Sequence, residues 1–211
     1  MPIVNKPLFR AEVLRPHLLS FQLPERAIAF RAKLDGWAEL FASGRADSLK
    51  ERELLPLFFA DFFFGLLGYS GPAESLDLYT MSLEKHVEVD GKYADAVLGR
   101  FRPTAQDYLV AVEGKGPKDP LDRPFAGRRM SAVDQGYRYA INLPCDWIIV
   151  TSMRQTRLYY KGADQQTYER FDTEKMASDE SLLKKFVFLL AAERVAPPSN
   201  QCHLYDLLSA S

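Results

Sequence analysis

The segment Asp107–Lys115, with the sequence DYLVAVEGK, constrains the fold of this chain more than any other stretch. It opens with an apolar run, Tyr108–Val112, and ends with a glutamate and a lysine two positions apart. An apolar run with valine and tyrosine, followed by glycine and proline, predicts a buried β-strand. Because side chains two apart on a strand share a face, Glu113 and Lys115 should point the same way. This pairing at the end of a core strand suits a hydrolytic metal site.

A second apolar stretch, Tyr93–Leu98, contains Asp95 and precedes the first stretch in the chain. The turn-like segment Gly99–Gln106 separates the two. Strands joined by so short a link can pair as a hairpin, which would bring Asp95 beside Glu113.

Further helices and strands are predicted along the chain. Pro24–Ser43 and about Asp47–Leu67 have helical spacing and helix-end signals, and Asp90-Gly91 is a strong hairpin-turn signal. The other predicted elements are strands at about Thr80–Val89, Tyr93–Leu98, Tyr108–Glu113, Trp147–Thr151, Leu158–Tyr160 and Thr167–Phe171, with helices at Met130–Asn142 and Ser181–Ala192. This order predicts an α/β fold with a mixed central β-sheet flanked by α-helices.

The length of 211 residues fits one domain, with small additions at its ends. We predict an N-terminal arm and helix at 1–46, with Met1–Leu23 irregular, then a main domain at 47–195. Residues 196–211 are interpreted as a linker or the start of a following element. The net charge of -1 argues against a general electrostatic grip on DNA, although a local basic groove remains compatible with it.

Three features bear on the compartment of the protein. The two cysteines have no metal-ligand spacing and do not indicate a disulfide framework, and no signal-peptide pattern is visible. The longest apolar patch, Leu54–Leu67, is interrupted by Pro56 and Asp61 and is too short to span a bilayer. We therefore expect a cytoplasmic protein without a membrane partner.

The pattern Asp95…Glu113-x-Lys115 resembles the motif of the PD-(D/E)XK nuclease superfamily, with Ala94 where many members have proline. Gln135-x-x-x-Tyr139 resembles the QxxxY signature of the branch that contains recombination nucleases and restriction-enzyme nuclease domains. The E-G-K-G-P stretch and the W-I-I-V-T…R-L-Y series are most similar to the N-terminal nuclease domains of type I and fused, type IIG-like restriction enzymes. The resemblance covers roughly Glu53 to Phe188.

This resemblance implies a restriction-endonuclease-like core and a metal-dependent DNA endonuclease, the cleavage domain of a restriction-modification enzyme. Asp95 and Glu113 would bind Mg²⁺, for which Mn²⁺ could substitute, and the backbone carbonyl of Gly114 would add a ligand. Lys115 would orient the attacking water or stabilise negative charge in the transition state.

The resemblance also assigns residues around this centre. Gln135 would lie near the active site and Tyr139 near the DNA backbone, and Glu53 would be an outer or water-mediated metal ligand, with Glu51 competing for that role. Helix surfaces often carry glutamate, so an exposed glutamate without a role at the site is the alternative for Glu53. For Tyr139 the plain alternative is a tyrosine buried in the core. Cations in or next to the loop after the motif are candidates for contacts with DNA phosphates: Lys118, Arg123, Arg128 and Arg129.

The partners expected from the resemblance lie in other domains. Neither a helicase P-loop nor a methyltransferase glycine motif is present. We therefore expect methyltransferase, specificity or motor domains in cis or in trans, and leave open a homodimer for double-strand cleavage. The alternatives are a stand-alone repair or transposition-type nuclease, a catalytically degenerate nucleic-acid-binding domain of the same fold, and an interaction module without an active site.

Overall fold

The computed structural model describes residues 5–75, 77–87, 92–199 and 201–211. Its centre is a six-stranded sheet in which the strands are neighbours in chain order. The strands are β1 (Tyr79–Val87), β2 (Lys92–Arg102), β3 (Ala105–Gly114), β4 (Trp147–Thr151), β5 (Gln155–Tyr160) and β6 (Tyr168–Asp172). The predicted turn at Asp90-Gly91 falls outside the described residues.

The sheet is mixed because one of its connections is a crossover. Strands β1, β2 and β3 form an antiparallel meander, as do β4, β5 and β6. β3 and β4 are parallel, and the chain between them contains helix α5 (Ala132–Asn142). A parallel pair needs such a connection to return the chain to the same end of the sheet. The architecture confirms the predicted α/β class, with a mixed central sheet flanked by helices.

Helices cover both faces of the sheet. The remaining helices are α1 (Ala11–Ser20), α2 (Glu25–Ala29), α3 (Arg31–Ala42), α4 (Glu51–Phe58), α6 (Thr173–Ser178), α7 (Glu180–Leu190), α8 (Ala192–Val195) and α9 (His203–Ser209). Alternation along β3 serves two cores, because Val110 and Val112 belong to one hydrophobic cluster and Ala111 to the other. The first cluster includes most of the helices, and the second contains the inner face of α5.

The prediction that Met1–Leu23 is irregular was wrong, because Ala11–Ser20 is helical. Leu14 is buried in the main core and Leu18 packs against it. These two positions are four apart and therefore lie on one helix face. Tertiary packing of this face outweighs the unfavourable presence of Pro16 inside the helix.

The predicted helix at Asp47–Leu67 is divided. A short 3₁₀ turn at Arg45–Ser48 precedes α4, which begins at Glu51 and continues as a π-helix over Phe59–Leu66. In the wider π-helical turn, the Leu67 amide donates to the Phe62 carbonyl. The phenylalanine rings of this segment pack against other rings on several sides of it.

The central hairpin also differs from the sequence-based description. Strands β2 and β3 are longer than predicted, so two residues connect them instead of the segment Gly99–Gln106. Near the C-terminus, Leu204 and Leu207 of α9 are buried in the main core, which also includes Leu8 and Phe9. No helix in the described ranges combines the length and apolarity needed to cross a bilayer.

Candidate active site

The β2–β3 hairpin places Asp95 next to Glu113. Ala96 pairs with Val112, so the preceding residue of β2 meets the following residue of β3. The amide of Gly114 donates to Asp95 Oδ2 at 2.7 Å, and the Asp95 and Glu113 carboxyl groups are close enough to influence each other's pKa. The side chains that sequence reasoning paired across a hairpin are therefore neighbours.

The environment of these carboxyl groups disfavours their charged forms. Burial and, to a smaller extent, the neighbouring Asp95 carboxylate together raise the pKa of Glu113 to about 8, against the opposing effect of the Lys115 ammonium. Burial also raises the pKa of Asp95, against the opposing effects of the Gly114 amide and the Lys115 ammonium. Two carboxylates in one buried site cannot both ionise at low cost. A proton or a cation shared between them relieves this repulsion.

Lys115 supplies a cation within the same cluster. Its Nζ donates to Glu113 Oε1, and the side chains of Lys115 and Glu113 are only 8% and 3% exposed. Side chains at this spacing share a strand face, as predicted. The single positive charge of Lys115 offsets only part of the negative charge that Asp95 and Glu113 carry when both are ionised. The remaining buried charge is destabilising because it has no partner.

Glu51, rather than Glu53, lies next to this cluster. Glu51 Oε2 accepts hydrogen bonds from the Gly116 amide and from Arg128 Nη2, both at 3.0 Å, and its charge acts on both Asp95 and Glu113. Glu53 is exposed, and its carboxylate caps α4 by accepting from the Lys50 amide at 2.7 Å. Of the two glutamates considered for the role of an outer metal ligand, Glu51 is therefore the one placed beside the carboxylates, and the role itself stays a prediction.

Gly114 allows α4 to approach the end of β3. A Cβ atom at this position would lie 2.5 Å from Cδ1 and 2.7 Å from Cδ2 of Leu55. Leu55 is buried one helical turn after Glu51. The missing side chain at Gly114 thus contributes to placing Glu51 within reach of the Gly116 amide.

We expect Gly114→Ala to lower the free energy of unfolding by about 1–3 kcal/mol, because it overpacks this contact. Urea denaturation measures the change. Adding Leu55→Ala should remove the clash, so the double variant should be about as stable as Leu55→Ala alone. Gly36→Ala is the matched control, because an added Cβ there meets nothing within 4 Å. Equal stabilities of Gly114→Ala and the wild type would contradict the steric role of Gly114.

Helix α5 lies against the other side of the Glu113 strand. A Cβ on Gly136 would lie 2.8 Å from Ile148 Cγ2 and 3.9 Å from Glu113 Cβ, so the helix approaches the sheet closely there. Gln135 is half-buried beside this contact, and no side-chain hydrogen bond joins it to the other described residues. Its predicted catalytic role remains a prediction.

Tyr139 occupies a place in the core. It is 6% exposed and belongs to the cluster between α5 and the sheet. Burial raises the pKa of its hydroxyl, with additional contributions from the charges of Glu113 and Asp95. This position agrees with the plain alternative of a buried tyrosine and leaves little surface for contact with a DNA backbone.

The four predicted phosphate-binding cations fall into two groups. Arg128 is half-buried and is bonded to Asp119 and Glu51, so it fastens the loop to the start of α4. Lys118, Arg123 and Arg129 are exposed and form no ion pair with the described part of the chain. The exposed three remain candidates for phosphate contacts, whereas the charge of Arg128 is already compensated.

The donor atoms of this cluster fit a hard divalent cation. Asp95 and Glu113 provide carboxylate oxygens, and Mg²⁺ in proteins commonly takes one or two carboxylates, completing its shell with water and substrate phosphate. Within the described ranges, no group of three or more histidine, cysteine, aspartate or glutamate side chains is arranged to share one ion. The arrangement therefore fits a two-carboxylate site with Glu51 outside direct coordination.

Comparisons with known proteins describe only a partial likeness. No protein-family model matches the chain. No curated protein matches it. Among solved structures, a chain of the DrdV–DNA complex determined by cryo-EM aligns with a TM-score of 0.42 and 22% identity, covering 76% of this chain and 96% of that one. A likeness of this size carries no information about activity, so the chemistry must be inferred from the side chains.

Proposed function

We propose that this chain is a Mg²⁺-dependent DNA endonuclease of the restriction type. The observation that carries the proposal is the cluster formed by the half-buried Asp95 on β2 with the buried Glu113 and Lys115 at the end of β3. Placing two carboxylates together costs stability unless a cation is bound. A purely structural role therefore explains this pair poorly. Perturbed carboxyl groups that converge in this way are typical of functional sites.

The chain's own residues would divide the work of phosphodiester hydrolysis. Asp95, Glu113 and the Gly114 carbonyl would hold Mg²⁺, which when bound neutralises the phosphate and lowers the pKa of water. The Gly114 amide fixes the orientation of Asp95. Lys115 would donate from its ammonium group to the attacking water or to the phosphate oxygens as negative charge develops. Glu51 and Gln135 would hold water at the edge of the site.

The proposal extends to partners and place of action. We infer that DNA recognition resides in methyltransferase, specificity or motor domains, in cis or in trans, and that paired copies make double-strand breaks. The cytoplasm is the proposed compartment. The exposed cations Lys118, Arg123 and Arg129 would contribute salt-dependent contacts with the DNA backbone.

A plasmid-nicking assay with Mg²⁺ or Mn²⁺ tests the proposal. Wild-type protein should convert supercoiled DNA to open-circular and linear forms, and EDTA should stop the reaction. Asp95→Asn should lower the rate about a thousandfold, since it removes a metal ligand worth several kcal/mol. Its amide oxygen can still accept from the Gly114 amide, which keeps the fold comparable.

Asp35→Asn is the matched control, because Asp35 is exposed on α3 and forms no ion pair with the described residues. It should cut as fast as the wild type. Equal cleavage by Asp95→Asn and the wild type would refute the assignment. A wild-type protein that binds Mn²⁺ and DNA but leaves DNA intact would instead support the catalytically degenerate alternative.

A further inference from the structure

A groove adjoins the carboxylate cluster on the side of α4. It has a volume of about 250 Å³ and lies between the start of α4 and the loop that follows β3. Glu51 and Gly116 line it, and they are bonded to each other at 3.0 Å. The groove therefore shares Glu51, whose charge acts on Asp95 and Glu113, with the surroundings of the candidate active site.

Two large apolar side chains in this groove are exposed to solvent. Leu49 is 39% exposed and Phe125 is 42% exposed, and each comes from a different side of the groove. Large apolar side chains exposed in the same groove make that groove a candidate contact surface. An aromatic face of this kind is suited to stacking against a flat ring.

The charged side chains that remain free of ion pairs around the groove are cations. Its acidic residues are already bonded to arginines, because Asp47 pairs with Arg154 at 3.0 Å and both Glu51 and Asp119 pair with Arg128. In contrast, Lys50 and Lys118 are exposed and have no acidic partner in the described part of the chain. The three acidic and three basic side chains that line the groove balance overall, but the two lysines at its rim are the lining charges without an ion-pair partner in the described part of the chain, so they are the groups free to contact a phosphate.

We propose that this groove binds one unpaired nucleotide of the DNA substrate next to the cleaved phosphate. The base stacks on Phe125 and contacts Leu49, while the flanking phosphates contact Lys50 and Lys118. Aromatic stacking accepts every base, so the groove selects for an accessible base and not for a sequence. This inference rests on the proposed function and adds a preference for DNA in which a base can leave the helical stack.

Binding measurements test the groove without depending on cleavage. Fluorescence anisotropy in EDTA compares a duplex that contains a short single-stranded gap with the fully paired duplex of the same sequence. The wild type should bind the gapped DNA more tightly. Phe125→Ala should weaken binding to gapped DNA about 5- to 100-fold, which corresponds to the energy of one base–aromatic stack. It should leave the affinity for paired DNA unchanged.

Three further variants separate stacking from charge and from general damage. Phe125→Trp should keep the preference for gapped DNA, and Ile141→Ala, which removes another exposed apolar side chain, should have no effect. Lys118→Ala should reduce the salt dependence of binding by about one phosphate contact, whereas Phe125→Ala should not change it.

The outcomes distinguish the groove from the wider proposal. If Phe125→Ala binds gapped DNA as tightly as the wild type, or loses gapped and paired DNA equally, the nucleotide groove is refuted and the nuclease proposal stands. If the wild-type protein binds neither form of DNA, the proposed function itself fails and the groove with it.

Discussion

Substituting glutamine for Glu113 should abolish metal-dependent DNA cleavage and also make the metal-free protein less sensitive to rising pH. The loss of cleavage, about a thousandfold or more, follows from the removal of a carboxylate ligand. The effect on stability follows from burial, which raises the pKa of Glu113 to about 8 from an ordinary value of 4.5. The variant should lose activity while its stability falls less than that of the wild type as the pH rises. Misfolding would lower both activity and stability and so cannot produce this combination.

The direction of the pH effect follows from proton linkage. Between pH 4.5 and about 8, the unfolded chain has released the Glu113 proton and the folded chain still holds it. The stabilising contribution of this proton is complete below pH 4.5 and is lost as the pH rises through the folded-state pKa. Wild-type protein should therefore lose several kcal/mol between these limits, a loss in which Asp95 shares because the two groups titrate together.

Urea denaturation in EDTA at pH 5 and pH 9 measures this difference. Glu113→Gln should show a clearly smaller decrease in stability between the two pH values than the wild type. Glu12→Gln is the control, because Glu12 has a side chain that is 71% exposed. An identical pH dependence in all three proteins would contradict the shared burial of the carboxyl groups.

Replacing Lys115 by methionine should lower the cleavage rate about 100- to 1000-fold, the usual effect of losing one donor to a charged transition state. Metal binding should survive, because the ammonium group is a competitor for Glu113 and not a ligand. Lys115 should therefore differ from Asp95 and Glu113 in one measurable respect: its replacement should lower the cleavage rate without lowering the affinity for Mn²⁺.

The rate at which supercoiled plasmid is nicked and the affinity for Mn²⁺, both measured on the same protein samples, test this separation. Lys161→Met is a suitable control, because Lys161 forms a half-buried ion pair with Asp146 at 3.0 Å, far from the site in the sequence. Retention of full cleavage by Lys115→Met would remove Lys115 from the mechanism. Loss of Mn²⁺ binding by this variant would show that it disrupts the site as a whole.

The centre of the candidate site could be predicted because it depends on local geometry. Asp95, Glu113 and Lys115 lie on two strands joined by a short turn, and the two-residue period of a strand fixes which side chains meet. The α/β class with a mixed sheet follows from the alternation of strand and helix patterns, whereas the strand order and the parallel pairing of β3 with β4 are seen only in the structure. Hydrophobic patterning was therefore sufficient for the class of the fold and not for its topology.

The surroundings of the site depend on features that sequence patterns do not determine. The choice between Glu51 and Glu53 was decided by the point at which α4 begins, since Glu53 is used to cap that helix. Arg128 reaches Glu51 across 77 positions of the chain because of the path of a loop. Tyr139 is buried because α5 turns that face towards the sheet. Each outcome rests on tertiary packing, as does the unpredicted helix α1.

The most direct test is a titration of Mn²⁺, followed by electron paramagnetic resonance of the free ion, into four purified proteins. Wild type and Asp35→Asn should bind Mn²⁺ with equal affinity, whereas Asp95→Asn and Glu113→Gln should lose that binding. This result would establish that the buried carboxylates form a divalent-cation site. Undiminished binding in both site variants, or no binding by the wild type, would contradict it.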